Sequence, residues 1–224
     1  MRKTFNSLIF LLLLIYLVSC KKESLAPSID FKYNFYPLAL TNVFVYNVDS
    51  TNYSGFAGSA INYKFQIKDS VAGTFTDADN NLAYRIERYK KNENQTLWQY
   101  QKTISRTVKT RTAEELIDNK IYIRLVFPTD LGATWNGNSK NNLLKNEFSI
   151  TNILETYTQN SLQFANTIIT HFEDKNLIEE DVITNIYAQN VGLISSEVRA
   201  VKLNINNAKI TDGYEFKMEL VSYK

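Results

Sequence analysis

Histidine is the side chain with the widest catalytic and metal-binding chemistry, and this chain has one, His171. If residues 170–174 form a strand, His171 and Glu173 share one face of it, because side chains alternate between the two faces. Two ligands do not make a zinc centre, which needs three or four ligands and groups that support them. A Ser-His-Asp triad would also have to use His171, and no Gly-x-Ser-x-Gly motif accompanies it. We therefore expect a hydrogen-bonded histidine near a strand end, with no metal and no nucleophilic catalysis.

Acidic side chains offer a second source of chemistry. Residues 77–81 read Asp-Ala-Asp-Asn-Asn and resemble the first half of a calcium-binding loop. Leu82 stands where that loop needs glycine and Arg88 where it needs a bidentate glutamate, so we predict a polar hairpin turn instead. Adjacent acids occur at 114–115, 173–174 and 179–181, and we expect their side chains to be solvated. A hydrolase that used carboxylates alone would need two of them facing each other, roughly 5 to 10 Å apart, which a sequence does not show.

The only cysteine, Cys20, stands at the end of an apolar leader. Arg2 and Lys3 precede an unbroken apolar run over residues 8–18, which is too short for the roughly 20 residues of a membrane-spanning helix. A soluble secreted protein would follow this run with a small-x-small cleavage site, whereas here the small residue Ser19 is followed by Cys20. The pattern predicts a signal peptide.

Leu17-Val18-Ser19-Cys20 resembles the lipobox of bacterial lipoproteins. The resemblance implies cleavage between Ser19 and Cys20 and acylation of Cys20, commonly with palmitate-type chains. Two or more acyl chains hold a protein stably on a membrane, at about 0.8 kcal/mol per buried CH₂. We therefore predict a signal peptide over residues 1–19, a lipidated cysteine and tether over 20–30, and a folded domain over 31–224. Lys21 is not the aspartate that retains enterobacterial lipoproteins in the inner membrane, so we expect the outer membrane, with its periplasmic and surface faces as alternatives.

Net charge excludes one class of partner. Removal of the leader takes away Arg2 and Lys3 and no acid, so 25 basic residues become 23, which equals the 23 acidic residues. A chain with no net side-chain charge and no basic patch lacks the electrostatic signature of nucleic-acid binding. The mature chain also has no second cysteine, so no internal disulfide stabilises it.

Alternating apolar and polar residues predict the secondary structure. The alternation is clearest at residues 43–48, 61–68, 82–89 and 121–127, and longer strands are expected at 162–170, 182–189, 191–204 and 214–223. Turn-forming residues separate these segments at 77–81, 91–94, 136–138 and 212–213. Residues 113–119 could form a short helical turn or a strand, and 175–182 read as a loop.

About ten antiparallel strands with little helix therefore predict an all-β, single-domain fold. A twisted sheet of this size must curl, close or pair with a second sheet to protect its edges. The expected architecture is a strongly curved half-barrel or open barrel, with a two-sheet sandwich as the alternative.

Three short segments resemble a class of Bacteroidetes envelope lipoproteins of unknown function. They are FYPLALTNVFVYNVDS at residues 35–50, LVFPTDLGATWNGN at 125–138 and IYAQNVGLISSEV at 186–198. Thr41 stands where that class tends to have glycine, and Phe44 where tryptophan is commoner. The resemblance implies a shared fold and a lipid anchor, and it implies no activity.

The aromatic residues of these segments are the candidates for a binding platform. If one exists, Trp135, Phe44 and Tyr46 would form it, although Trp135 is expected to be a core residue. Asp49-Ser50-Thr51 and Asp69-Ser70-Val71 resemble the short O-glycosylation motif of Bacteroidetes periplasmic proteins, which makes Ser50 and Ser70 candidate glycosylation sites.

We therefore expect a lipid-anchored envelope protein that is not an enzyme and uses no cofactor, since no phosphate loop or dinucleotide motif is present. Its β-domain would bind a partner protein, a glycan or another envelope component. A carrier that holds an apolar ligand in a concave sheet is the first alternative. A carboxylate-based hydrolase is the second.

Overall fold

A computed structural model describes residues 29–55 and 59–224, and in this part of the chain twelve antiparallel strands form one sheet. The prediction of an all-β fold is confirmed, and the one short helix among these residues is a 3₁₀ turn at Tyr33–Phe35. The strands are β1 (Val43–Ser54), β2 (Ser59–Thr76), β3 (Leu82–Asn92), β4 (Gln99–Val108), β5 (Thr112–Ile117), β6 (Lys120–Val126), β7 (Thr134–Asn136), β8 (Glu147–Gln159), β9 (Leu162–Lys175), β10 (Glu179–Ala188), β11 (Gly192–Leu203) and β12 (Ile210–Tyr223). They belong to a unit that spans Phe31–Lys224.

The sheet consists of two meanders, β1–β6 and β7–β12, joined through pairing of β1 with β12. This order leaves β6 and β7 as the two edges, and the edges approach each other. The Ile123 N–H donates to the Gly137 carbonyl at 2.9 Å, and Trp135 Nε1–H donates to the Ile123 carbonyl at 3.1 Å. The sheet is therefore a nearly closed barrel, and the two-sheet sandwich is wrong.

Glycine is required where these edges meet. A Cβ added at Gly137 would lie 2.8 Å from Cε2 of Phe148, closer than side-chain atoms tolerate. The turn residue Thr41 has φ of +70°. A β-branched residue is disfavoured in that left-handed region, which explains why glycine suits the position.

Of the two alternatives for residues 113–119, the strand is correct: they contain most of β5 and a turn, in which Asp118 and Asn119 both have positive φ and form a two-residue hairpin loop. Two other local predictions are wrong. Residues 175–182 are mostly strand, because the Asn176 side chain accepts the N–H groups of Ile178 and Glu179 and closes a tight turn. Residues 212–213 lie inside β12, where a Cβ on Gly213 would lie 2.1 Å from the Ala200 carbonyl oxygen.

Apolar side chains fill much of the barrel interior in two large clusters. One is built mainly on β5–β9 and the residues before β1, and it includes Phe35, Trp135 and Ile168. The other is built on β1, β2 and β9–β12, and it includes Val48, Ile194 and Leu220. Both clusters border the cavity described below.

No helix among residues 29–55 and 59–224 is long and apolar enough to cross a membrane.

Candidate functional site

The barrel contains a cavity of about 230 Å³ that is partly open to solvent and is bordered by β1, β3–β6, β10–β12 and the segment before β1. One part of its wall is apolar and is formed by Phe44, Leu193, Val198, Phe216 and Met218. Another part carries guanidinium, carboxylate and phenol groups. A cavity with an apolar surface and a few convergent polar groups is the usual form of a small-molecule site.

Five charged residues on five consecutive strands form the charge network of this cavity. They are Asp69 on β2, Arg88 on β3, Arg106 on β4, Glu115 on β5 and Arg124 on β6. Strand register brings opposite charges together, because Asp69 pairs with Arg88 and Arg106 pairs with Glu115 across neighbouring strands. The charge network therefore links the five strands β2–β6 through their side chains.

Each carboxylate of the network is held by two arginines. Asp69 accepts both Nε and Nη2 of Arg88, at 2.7 and 2.8 Å, and Nη2 of Arg106 at 2.8 Å. Glu115 accepts Nε of Arg106 at 2.8 Å and both Nε and Nη2 of Arg124, at 3.0 and 2.5 Å. Such charge-assisted bonds are the strongest hydrogen bonds in proteins and fix the guanidinium planes.

These bonds determine the ionisation of the carboxylates. Asp69 is 1% exposed and Glu115 is also buried, and burial alone would raise the pKa of each. The charges of Arg88 and Arg106 beside Asp69, and of Arg124 and Arg106 beside Glu115, outweigh burial and hold both pKa values below their usual range. Both groups are ionised at neutral pH and are unsuited to act as general acids.

Three buried tyrosines complete the polar wall: Tyr36, Tyr46 and Tyr187. Burial raises the pKa of each hydroxyl, that of Tyr187 to about 12, so all three remain neutral. The Tyr46 hydroxyl donates to the Leu193 carbonyl at 3.0 Å. The hydroxyls of Tyr36 and Tyr187 make no hydrogen bond to any other residue that the structure describes, and both side chains line the cavity.

Unused donors also remain on the arginines. Arg88, Arg106 and Arg124 all line the cavity, and their bonds to Asp69 and Glu115 use Nε and Nη2 only. A guanidinium carries five N–H donors. Within the described residues, the Nη1 group of each arginine therefore has no hydrogen-bond acceptor.

The predicted aromatic platform is not assembled as one surface. Phe44 and Tyr46 line the cavity, but Trp135 is 7% exposed and lies in the core, stacked on Phe148 with ring centroids 5.6 Å apart. The indole N–H is used by the Ile123 carbonyl. Trp135 thus joins the two edges of the barrel, and its side chain does not line the cavity.

His171 lies on β9, away from the cavity lining. Its Nδ1 is 3.0 Å from the Thr184 hydroxyl, and its Nε2 is 3.8 Å from the Glu173 carboxylate. Within residues 29–55 and 59–224, no group of three or more potential ligands from His, Cys, Asp and Glu comes together. The calcium-like segment forms the β2–β3 turn, where Asp77 accepts the backbone N–H groups of Asp79 and Asn81.

The expectation that adjacent acids are solvated is wrong for Glu114 and Glu115. Both lie in β5 and are buried, since opposing charges reach them from neighbouring elements. Glu114 accepts Lys140 Nζ at 2.6 Å and the Thr112 hydroxyl at 2.8 Å. Glu114 and Glu115 therefore each form ion pairs with residues outside β5.

The structure describes the predicted glycosylation sites but not the predicted cleavage and lipidation sites. Ser19 and Cys20 lie outside the described residues, so the signal cleavage and lipidation sites remain predictions. Ser50 and Ser70 lie within the paired strands β1 and β2. Asp69, the first residue of the second glycosylation-like motif, is held in the charge network.

A sequence signal for the charge network exists, but we did not predict the network from it. In β2, Asp69 stands two residues from Ile67 and from Val71, which are both buried and therefore mark the inward face. Arg88 follows Ile86, and Arg106 follows Ile104, by the same two-residue step. Charges of both signs at apolar positions of neighbouring strands are the pattern that indicates an interior ion-pair network.

No protein-family model matches the chain, and the search of curated proteins finds no match either. Two solved structures are similar to it over 88% of its length and 100% of theirs. One is described as a "putative exported protein with YmcC-like fold" from Bacteroides fragilis NCTC 9343, with a TM-score of 0.46 at 11% identity. The other is described as a "putative lipoprotein" from Parabacteroides distasonis ATCC 8503, with a TM-score of 0.45 at 12% identity. Similarity at this level assigns no function to the chain.

Proposed function

We propose that this chain is a lipid-anchored protein of the cell envelope whose β-domain binds a small molecule in its interior cavity and does not transform it. The cavity carries this proposal: the hydroxyls of two buried tyrosines and three guanidinium Nη1 groups line it, and none of these donors has an acceptor among residues 29–55 and 59–224. Polar groups that line a protein cavity are usually hydrogen-bonded, so these donors are available to a partner from outside the chain. A ligand with well-placed acceptors would replace the water that otherwise hydrates such donors.

The anchor is supported by the sequence alone. The apolar run over residues 8–18, the small residue Ser19 and the solitary Cys20 have the order that lipoprotein processing requires. Acyl chains on Cys20 would place the β-domain next to a membrane, where amphipathic molecules are concentrated. The outer membrane is the location that we propose, since Lys21 follows the cysteine.

The absence of catalysis is supported by the state of the carboxylates. Acid–base catalysis needs a group whose pKa lies near the working pH. Asp69 and Glu115 are instead held ionised by their arginine partners. A hydrolytic pair of carboxylates, one of them protonated, is therefore disfavoured in this cavity.

The size and chemistry of the cavity modify the carrier alternative. An engineered cavity of about 150 Å³ holds benzene, so about 230 Å³ accommodates a molecule somewhat larger than a single ring. A purely apolar ligand would leave the guanidinium and phenol donors without acceptors. The cavity therefore favours a small amphipathic ligand over a wholly apolar one.

A matched pair of variants tests whether the cavity is the binding site. Ile117 lines the cavity, whereas its neighbour Leu116 is 42% exposed on the same short strand. Ile117→Trp is expected to fill the cavity, and Leu116→Trp adds a similar bulk outside it. Small molecules extracted from the purified full chain would be identified by mass spectrometry. We expect one compound to accompany wild type and Leu116→Trp and to be lost from Ile117→Trp; equal recovery from all three proteins would contradict the proposal.

A further inference from the structure

We infer that the ligand of this cavity is a small monocarboxylate: one carboxylate group attached to a short apolar body. The inference rests on the proposed function, since it specifies what the cavity binds. It follows from the charge balance, the donors and the apolar wall of the cavity.

The charge balance of the cavity leaves one positive charge. Three guanidinium groups face two carboxylates, and the tyrosines are neutral. Among the charged residues at positions 29–55 and 59–224 that line the cavity or contact those that do, no further acid compensates this excess. One negative charge on a ligand would neutralise it, whereas a phosphate monoester carries about −1.5 to −2 at neutral pH and would leave an excess of negative charge.

Hydrogen-bonding capacity points to the same class. The oxygens of Asp69 and Glu115 are already used by arginines, and the Asn185 side-chain oxygen accepts the Ser196 hydroxyl at 2.8 Å. The free groups of the polar wall are therefore donors: the arginine Nη1 groups and two tyrosine hydroxyls. These donors favour a ligand that offers acceptors, as a carboxylate does, whereas an ammonium group would be repelled by the excess positive charge. The planar fork of a guanidinium also matches the two oxygens of a carboxylate.

The apolar wall defines the rest of the ligand. Phe44, Val198, Phe216 and Met218 border the same cavity as the arginines. Burial of apolar area against them would contribute about 25 cal/mol per Å². The cavity volume limits the apolar body to a short alkyl chain or a single ring.

Three probes of one length test this class: octanoate, 1-octanol and octylamine. Each would be titrated calorimetrically into the full chain held in lipid nanodiscs, with empty nanodiscs as the blank. We expect octanoate to bind at least tenfold more tightly than 1-octanol and octylamine to bind weakest, because the site offers donors and excess positive charge.

Three variants change the cavity charge in known directions. Arg124→Gln removes the excess positive charge and is expected to weaken octanoate binding about tenfold or more. Glu115→Gln adds a positive charge and is expected to strengthen octanoate binding about threefold or more. Arg85→Gln is the matched control, because Arg85 is exposed on β3 and pairs with Glu87 rather than with the network. It should change octanoate binding less than about twofold, within the range expected for a surface ion pair.

Each failure has a distinct meaning. If Arg124→Gln binds 1-octanol with wild-type affinity, the cavity of this variant is intact. Arg124→Gln then tests the prediction by itself, even if Glu115→Gln fails to fold. Equal affinities for octanoate and 1-octanol, or equal effects of Arg124→Gln and Arg85→Gln, would overturn the carboxylate inference and leave the binding cavity in place. If none of the three probes binds, this inference is overturned, while compound recovery that depends on Ile117 would still support the proposed function.

Discussion

Replacement of Trp135 by alanine is expected to destabilise the β-domain strongly, because this side chain closes the barrel. The indole is 7% exposed, stacks on Phe148 and donates to the Ile123 carbonyl on the opposite edge strand. Truncation of a buried Trp or Phe to alanine typically costs about 3 to 5 kcal/mol. For a domain of this size, 1 kcal/mol lowers Tm by about 2 to 4 °C, so Trp135→Ala should lower Tm by about 6 to 20 °C.

Two further variants separate the contributions to that loss. Trp135→Phe keeps an aromatic ring against Phe148 but loses the hydrogen bond, which is worth about 0.5 to 1.5 kcal/mol. Trp98→Ala is the matched control, since this second tryptophan is only partly buried and lies under Lys68 and Lys91, 5.0 and 4.9 Å from its ring. Loss of such surface cation–π contacts should cost about 1 kcal/mol or less.

The assay is urea unfolding of the chain expressed from about Ser24 onward, followed by far-ultraviolet circular dichroism. The free energies of unfolding should rank wild type, Trp98→Ala, Trp135→Phe and Trp135→Ala from most to least stable. A Trp135→Ala midpoint indistinguishable from that of wild type would refute the assignment of this residue to the closure of the barrel. A Trp98→Ala loss as large as that of Trp135→Ala would refute it equally.

Three more perturbations have defined outcomes. Cys20→Ser should abolish incorporation of an alkynyl fatty acid in growing cells, and a labelled mutant would contradict the lipoprotein prediction. His171→Ala should leave Tm and metal content unchanged; stoichiometric metal in wild type that the mutant lacks would contradict this. The folded-state pKa values of Asp69 and Glu115 lie below their unfolded values of about 3.9 and 4.3, so their stabilisation is complete above about pH 5 and is lost as the pH falls below 4. Glu115→Gln should therefore show a shallower loss of stability in acid than wild type, and parallel acid-unfolding curves would argue against ionised Glu115 in the fold.

Much of the strand content could be predicted from the sequence because alternation is a local property. Residues 43–48 fall within β1 and residues 121–126 within β6, and their buried side chains follow the period of two. The joining of the two meanders into one sheet is not local. Pairing of β1 with β12 joins residues at opposite ends of the domain, such as Phe44 and Tyr223, and no short-range pattern specifies it.

The candidate site was harder to predict for a related reason. Asp69 and Arg88 occupy positions where alternation alone suggests apolar side chains, and either charge would be costly to bury without a partner. Their partners lie on other strands, so the compensation becomes visible only once register is known. Tyr46 was a candidate because of the motif that contains it, but Tyr36 and Tyr187 were not singled out: the chain has 14 tyrosines, and which hydroxyls line a cavity depends on the fold.

The most direct test of a monocarboxylate-binding cavity is a crystal structure of the protein with octanoate. We predict one octanoate in the barrel interior, with carboxylate oxygens about 2.7 to 2.9 Å from guanidinium nitrogens of the charge network and the alkyl chain against Phe216 and Met218. A cavity that holds only water while octanoate binds elsewhere, or not at all, would contradict the account.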